Sequence, residues 1–187
     1  MTHAYFPTSG MISRVERVAP ASVESATIGS EGMLGLALFL GESVAAADWR
    51  VRIRGEAWRL PALSFLDLVE RSSLFATTLK RYTSARLLVT YRSAGCSLLH
   101  SLPRRSARWL LFAHDCTQGD SFELTHADLA QLMGVRRAGV TLALGHLQRE
   151  GIISSRRGKI TVLDRGHLEA EACECAAMIH SRYASQP

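Results

Sequence analysis

The sequence predicts an α+β fold in which a strand-rich N-terminal part leads through one long helix into a winged helix-turn-helix. Three observations carry this. Residues 5–63 break into short β-branched runs punctuated by Gly and Pro. No Pro or Gly interrupts the chain between Pro61 and Gly95. Residues 124–163 run in the order helix, Gly turn, helix, hairpin. With 187 residues, 47% of them hydrophobic, the chain has material for two small domains. The expected division is a strand-rich unit at 1–72, the long helix at 73–100 and the winged unit at 101–187.

A formal net charge of +5 favours a polyanionic partner. No run is long and apolar enough to span a bilayer, and the N-terminus lacks the layout of a signal peptide, so a cytoplasmic location is expected, without membrane contact. Cys96, Cys116, Cys173 and Cys175 are then expected as reduced thiols. Cys173-Glu174-Cys175 resembles a metal pair, but residues two apart on a helix point to different sides. With no His or Cys pair at zinc spacing read beside it, neither a metal nor a cofactor is expected.

In chain order, strands are expected at 11–15, 25–28 and 49–54. Arg50, Arg52 and Arg54 alternate on the last of them, either as a solvated face or as a ligand patch. In the helical region Phe75, Leu79, Tyr82, Arg86 and Val89 step by four and three, widened by Leu87 and Leu88. That stripe fits a two-chain seam and a helix packed within one chain equally well. Ser101 and Pro103 suit the first turn of the next helix, 104–114, which buries Ala107, Trp109, Leu110 and Leu111. Its Arg104, Arg105 and Arg108 stay on the wetter side, solvated or against DNA.

Thr125 then caps a helix, with Asp128 three positions on as an acidic variant of the capping box, and Gly134 ends it. Arg136 and Arg137 open a second helix, which packs through Val140, Leu144 and Leu147 and stops at Gly151. A hairpin turns at Arg157-Gly158, and residues 165–183 read as one final helix packed through Leu168, Ala172, Cys175, Ala176 and Ile179. The first outward positions of the second helix are Arg136, Arg137, Ala138, Thr141 and Leu142, with Thr125 at the neighbouring helix start. Arg156, Arg157 and Lys159 at the hairpin tip suit phosphates, since neutralising the backbone supplies most of the affinity for DNA. The seven histidines are scattered singly, and the neighbours His114-Asp115-Cys116 do not converge, so no catalytic set is expected.

Gly134-Val135-Arg136-Arg137 and Leu147-Gln148-Arg149-Glu150-Gly151-Ile152-Ile153 resemble the DNA-binding domain of the Crp/Fnr family of bacterial transcription regulators. The resemblance extends to Arg108-Trp109-Leu110-Leu111, to Tyr5-Phe6-Pro7-Thr8-Ser9-Gly10 and to the run from Gly29 to Gly35. It implies a partial β-roll of the cyclic-nucleotide-binding type, a dimerisation helix and a winged helix-turn-helix. It also implies a sequence-specific regulator whose partners are double-stranded DNA, a second copy of the chain and RNA polymerase. Paired reading heads bind paired half-sites, which favours the two-chain seam. Arg137 falls where the family carries an Arg that reads guanine, its two donors matching O6 and N7. Ala138 and Leu142 stand where many relatives have Glu and Arg, and Gly139 where Thr is frequent.

Two departures concern the sensor. Where the family holds a cyclic phosphate with an Arg and a Ser or Ala, this chain has Ala45-Ala46, which supply neither charge nor donors, so cyclic nucleotides are not expected to bind. The opening strands of the roll are missing before Tyr5, which means either a start further upstream or a reduced sensor. The rival expectation is a ligand-binding or protein-interaction module that keeps the helix-turn-helix without reading DNA.

Overall fold

The computed structural model describes residues 1–19, 21–44 and 47–184. The expected strands form, and two more join them. β1 (His3–Pro7) pairs antiparallel with β5 (Ala57–Pro61), while β2 (Met11–Val18) is the middle strand between β3 (Ala21–Ile28) and β4 (Asp48–Ile53). Gly10 permits the step from β1 to β2: its φ is +78°, and a Cβ there would lie 2.6 Å from the Ile53 carbonyl oxygen. Only glycine fits that approach.

A short helix, α1 (Leu36–Phe39), follows, and Glu42 N–H donates to the Ala37 carbonyl at 2.8 Å, so Gly41-Glu42 is the turn that closes it. Ala45 and Ala46, the positions set against the family's phosphate ligands, lie outside the described residues. The three alternating arginines do not share one solvated face. Arg52 turns inward, its side chain 13% exposed and its Nε 3.8 Å from Glu24, whereas Arg50 and Arg54 stay exposed. The register shift between Met11 and Ile12, opposite this strand, breaks the regular alternation.

The helical region is two helices. α2 (Ala62–Arg71) ends at Ser72, whose hydroxyl accepts from Phe75 N–H at 3.2 Å and so starts α3 (Ser73–Leu99). The predicted stripe of α3 faces its own chain. Leu79 and Tyr82 are buried in a core with Ala4, Met33, Leu38 and Phe65, with Phe75 packed against it. Tyr82 Oη accepts from Met33 N–H at 3.1 Å, and Arg86 donates to the Thr27 carbonyl at 2.9 Å. This corrects the two-chain reading of that stripe: the N-terminal sheets need a helix to cover them, and this side of α3 does so. The large apolar side chains of α3 left in solvent are Leu74, Leu87, Leu88, Tyr91, Leu98 and Leu99, so Leu87 and Leu88, which widen the stripe, take no part in this cover.

A second core fills the C-terminal part and takes in Met11 of β2, with Ile53 of β4 packed against it. α4 (Leu102–Asp115), α5 (His126–Met133), α6 (Arg137–Arg149) and α7 (Arg165–Glu171) enclose Ala107, Leu110, Leu129, Val140, Leu144, Leu147 and Leu168. A three-stranded sheet of order β6 (Ser121–Glu123), β8 (Lys159–Val162), β7 (Ile153–Arg156) adds Ile153 and Ile160. Arg104 is exposed as expected, but Arg105 is not simply solvated: it donates to the Ser97 and Met133 carbonyls, at 3.4 and 3.3 Å, and so ties α3 to the end of α5. The single final helix is also corrected. It breaks at Ala172, whose ψ is 157°, and resumes as α8 (Cys175–Ala184), which packs back on α3.

The two parts meet where β3 lies on α5, and Trp109 Nε1 donates to the buried Glu24 carboxylate at 3.2 Å. Burial pushes the Glu24 pKa up to about 7. Within α6, Gly145 has room for a side chain, the nearest atom to an added Cβ being Arg149 Nη1 at 3.6 Å. Gly145→Ala should therefore stabilise the protein by about 0.5–1 kcal/mol. Urea unfolding measures this, and a lowered midpoint would mean that the space is needed.

Candidate nucleic-acid interface

Local chemistry builds the two-helix head as the sequence indicates. Thr125 Oγ1 accepts from Asp128 N–H at 3.0 Å, and Asp128 accepts from Thr125 N–H at 3.1 Å, which satisfies two otherwise orphaned donors. Gly134 ends α5 in the left-handed region at φ +65°, and Val135 N–H donates to the Ala130 carbonyl at 3.0 Å. Val135 then packs against the core, setting the angle at which Arg136 opens α6.

Val140, Ala143, Leu144 and Leu147 turn α6 inward. Arg137, Ala138, Thr141 and Leu142, with Arg136 at the N-cap, are exposed on its other side, as the spacing requires. Leu142 is 76% exposed, a large apolar side chain left in solvent. Gly139 sits where α6 crosses α4: an added Cβ would lie 3.0 Å from Leu102 Cδ2, so the glycine allows the close crossing.

The wing turns on two residues, Arg157 and Gly158, with φ of +50° and +78°. This is the mirror-image turn whose twist matches a two-residue hairpin. Arg156 and Lys159 stand opposite each other across it, both exposed. Leu124 N–H donates to the Gly158 carbonyl at 2.8 Å, so the tip is held beside Thr125. Arg136, Arg137, Arg156, Arg157 and Lys159 thus share one end of the fold, and no ion pair among the described residues engages them.

One residue of this surface is not legible in the sequence. His126 links three elements: its Nδ1 lies 3.1 Å from Thr141 Oγ1 on α6, and its Nε2 lies 3.1 Å from Ser155 Oγ on the wing. Burial, and next the Arg137 charge, lower its pKa, so the ring is neutral at pH 7 and offers one donor and one acceptor. It sets the wing's distance from α6. A lone histidine with partners 15 and 29 residues away leaves no sequence pattern.

Side chains able to hold a metal lie elsewhere. The ligand atoms of Cys96, His100, Cys173 and Cys175 all fall within 4.8 Å of one another. An unbroken helix would send Cys173 and Cys175 apart. They converge because Cys173 and Glu174 lie in the break between α7 and α8.

Residues 104–171 match the family model of the Crp-like helix-turn-helix domain. No curated protein matches the chain. Among solved structures, the chain resembles a CRP-family transcriptional regulator of Thermus thermophilus (TM-score 0.72, 19% identity, 91% of this chain and 88% of that one). It also resembles FixK2 of Bradyrhizobium japonicum (TM-score 0.72, 17% identity, 92% and 88%). A second Thermus thermophilus regulator, of the CRP/FNR family, matches with TM-score 0.69 and 23% identity over 91% of this chain and 87% of that one.

Proposed function

We propose that this chain, which has the fold of Crp/Fnr regulators and a Crp-like helix-turn-helix domain at residues 104–171, is a transcription regulator that reads duplex DNA as a homodimer. The observation that carries this reading is the exposed face of α6, with Arg137 uncovered beside a basic wing. In the major groove Arg137 contacts a guanine, Thr141 and Arg136 reach neighbouring base edges or phosphates, and Ala138 and Leu142 offer apolar contact to thymine methyls. Thr125, Arg156, Arg157 and Lys159 hold the flanking backbone. In this reading residues 1–72 form the sensor-like part, 73–100 the pairing helix and 101–187 the DNA-binding part.

The dimer forms through the outer side of α3. Leu88, Tyr91, Gly95 and Leu98 recur at steps of three and four on that side, and nothing lies within 4 Å of the place a Cβ would take on Gly95. A second helix can approach closely there. Cyclic nucleotides do not control this regulator, because Ala45-Ala46 bring no cation to an anionic phosphate.

Fluorescence anisotropy with duplex DNA at increasing salt tests the proposal. Affinity should fall linearly on logarithmic axes, and Lys159→Ala should weaken all sequences alike while reducing the slope by about 1. Salt-independent association, or an unchanged slope in the variant, would remove the wing from the interface.

A further inference from the structure

We propose that Cys96, His100, Cys173 and Cys175 form a tetrahedral zinc site that clamps the C-terminal helix to the end of α3. Cys96 and Cys173 Sγ lie 3.6 Å apart, and His100 Nδ1 lies 3.4 Å from Cys96 Sγ and 3.6 Å from Cys175 Sγ. A tetrahedral ion with bonds of about 2.3 Å to sulfur and about 2.0–2.1 Å to nitrogen places its ligands roughly 3.8 Å apart between sulfurs and roughly 3.5 Å apart from sulfur to nitrogen. These three spacings fall close to those edges, and all four ligand atoms lie within 4.8 Å of one another. A cuboidal iron–sulfur cluster interposes its own iron and sulfide atoms and holds its cysteines further apart than this.

The surroundings are those of a built site. Cys96, Cys173 and Cys175 are 2%, 1% and 1% exposed, and Val89 and Ile179 pack around them. His100 turns its other nitrogen, Nε2, to the Glu174 carboxylate at 3.1 Å. A carboxylate that takes the second N–H of a ligating histidine fixes its tautomer and aims Nδ1 at the ion. Arg92 Nε lies 3.2 Å from Cys175 Sγ. Binding releases three thiol protons to solvent and no electrons move; three thiolates and a neutral imidazole on Zn²⁺ carry one net negative charge, which the guanidinium offsets.

The position gives the site a mechanical role. His100 ends α3 where the chain turns into α4, and Cys173 and Cys175 flank the break that returns α8 to α3. A bound ion therefore fixes the joint between the long helix and the helix-turn-helix part. It adds a cross-link to the packing of α8 on α3 through Ile179 and Val89.

The test uses the full-length protein, purified under reducing conditions and titrated with Co²⁺ as a spectroscopic stand-in. The expected result is one ion per chain, with a sulfur-to-cobalt charge-transfer band, visible bands of tetrahedral intensity, and displacement of cobalt by an equivalent of Zn²⁺. His100→Cys should keep the stoichiometry and strengthen the charge-transfer band, whereas Cys96→Ser with Cys173→Ser should abolish it. Zn²⁺ should raise the thermal midpoint of the wild-type protein and a chelator should lower it, since a ligand of the native state stabilises by mass action. Absence of a stoichiometric cobalt spectrum in the wild-type protein would overturn the proposal. So would a spectrum that survives in the double variant, or a Cys96–Cys173 disulfide in protein prepared under these conditions. DNA affinity enters none of these readouts, so the zinc site and the regulator reading stand or fall separately.

Discussion

Glutamate at Leu79 should unfold the protein, whereas glutamate at Leu88 should leave a folded chain that no longer pairs. Both residues are leucines on α3, but Leu79 is 4% exposed against Phe65 and Tyr82, and Leu88 is 41% exposed. Truncating a buried leucine costs about 2–5 kcal/mol before any charge is considered. A carboxylate buried there without a cation adds a further desolvation cost, against a total stability of roughly 5–15 kcal/mol. At Leu88 the same substitution changes the monomer by about 0.5 kcal/mol or less. It does set two like charges face to face across the proposed seam. Circular dichroism melting and sedimentation velocity separate the effects: the first variant loses its cooperative transition, and the second melts normally but sediments as a monomer. A dimer that survives Leu88→Glu would move the interface off this side of α3.

Arg137→Ala should cost about 1–3 kcal/mol on the selected operator and relax the preference at a single base position. The guanidinium carries two donors in a fixed fork, so its loss removes a pattern that discriminates bases as well as a charge. On random duplex DNA the loss should be small and salt-sensitive, as for any one phosphate contact. Competition titrations against specific and random duplexes measure the ratio. Equal weakening on both would demote Arg137 to a backbone contact.

The elements written in local chemistry could be read before any coordinates. The capping box at Thr125 and Asp128, the left-handed Gly134 and the two-residue turn at Arg157-Gly158 each depend on a few neighbouring residues. The partners of a stripe are another matter. Periodicity marks Phe75, Leu79 and Tyr82 as one face of α3 but cannot tell an intrachain sheet from a second chain, and only the fold brings Phe65 and Met33 to that face. The four-ligand cluster shows the same limit. Cys96 and Cys173 are 77 residues apart, and a helix assumed unbroken through Cys173 sends its side chains apart. One local signal was there: Cys96 and His100 are four residues apart, the spacing that places two ligands on one helix face.

Selection of bound sequences from random duplex DNA, carried out with the full-length protein at moderate salt, is the most direct test of the regulator reading. The expected product is an inverted repeat whose half-sites lie about one helical turn apart, roughly 10 base pairs, with a guanine in each half-site that Arg137→Ala no longer selects. A pool that stays random after repeated rounds, with retention that does not respond to salt, would contradict sequence-specific DNA binding by this chain.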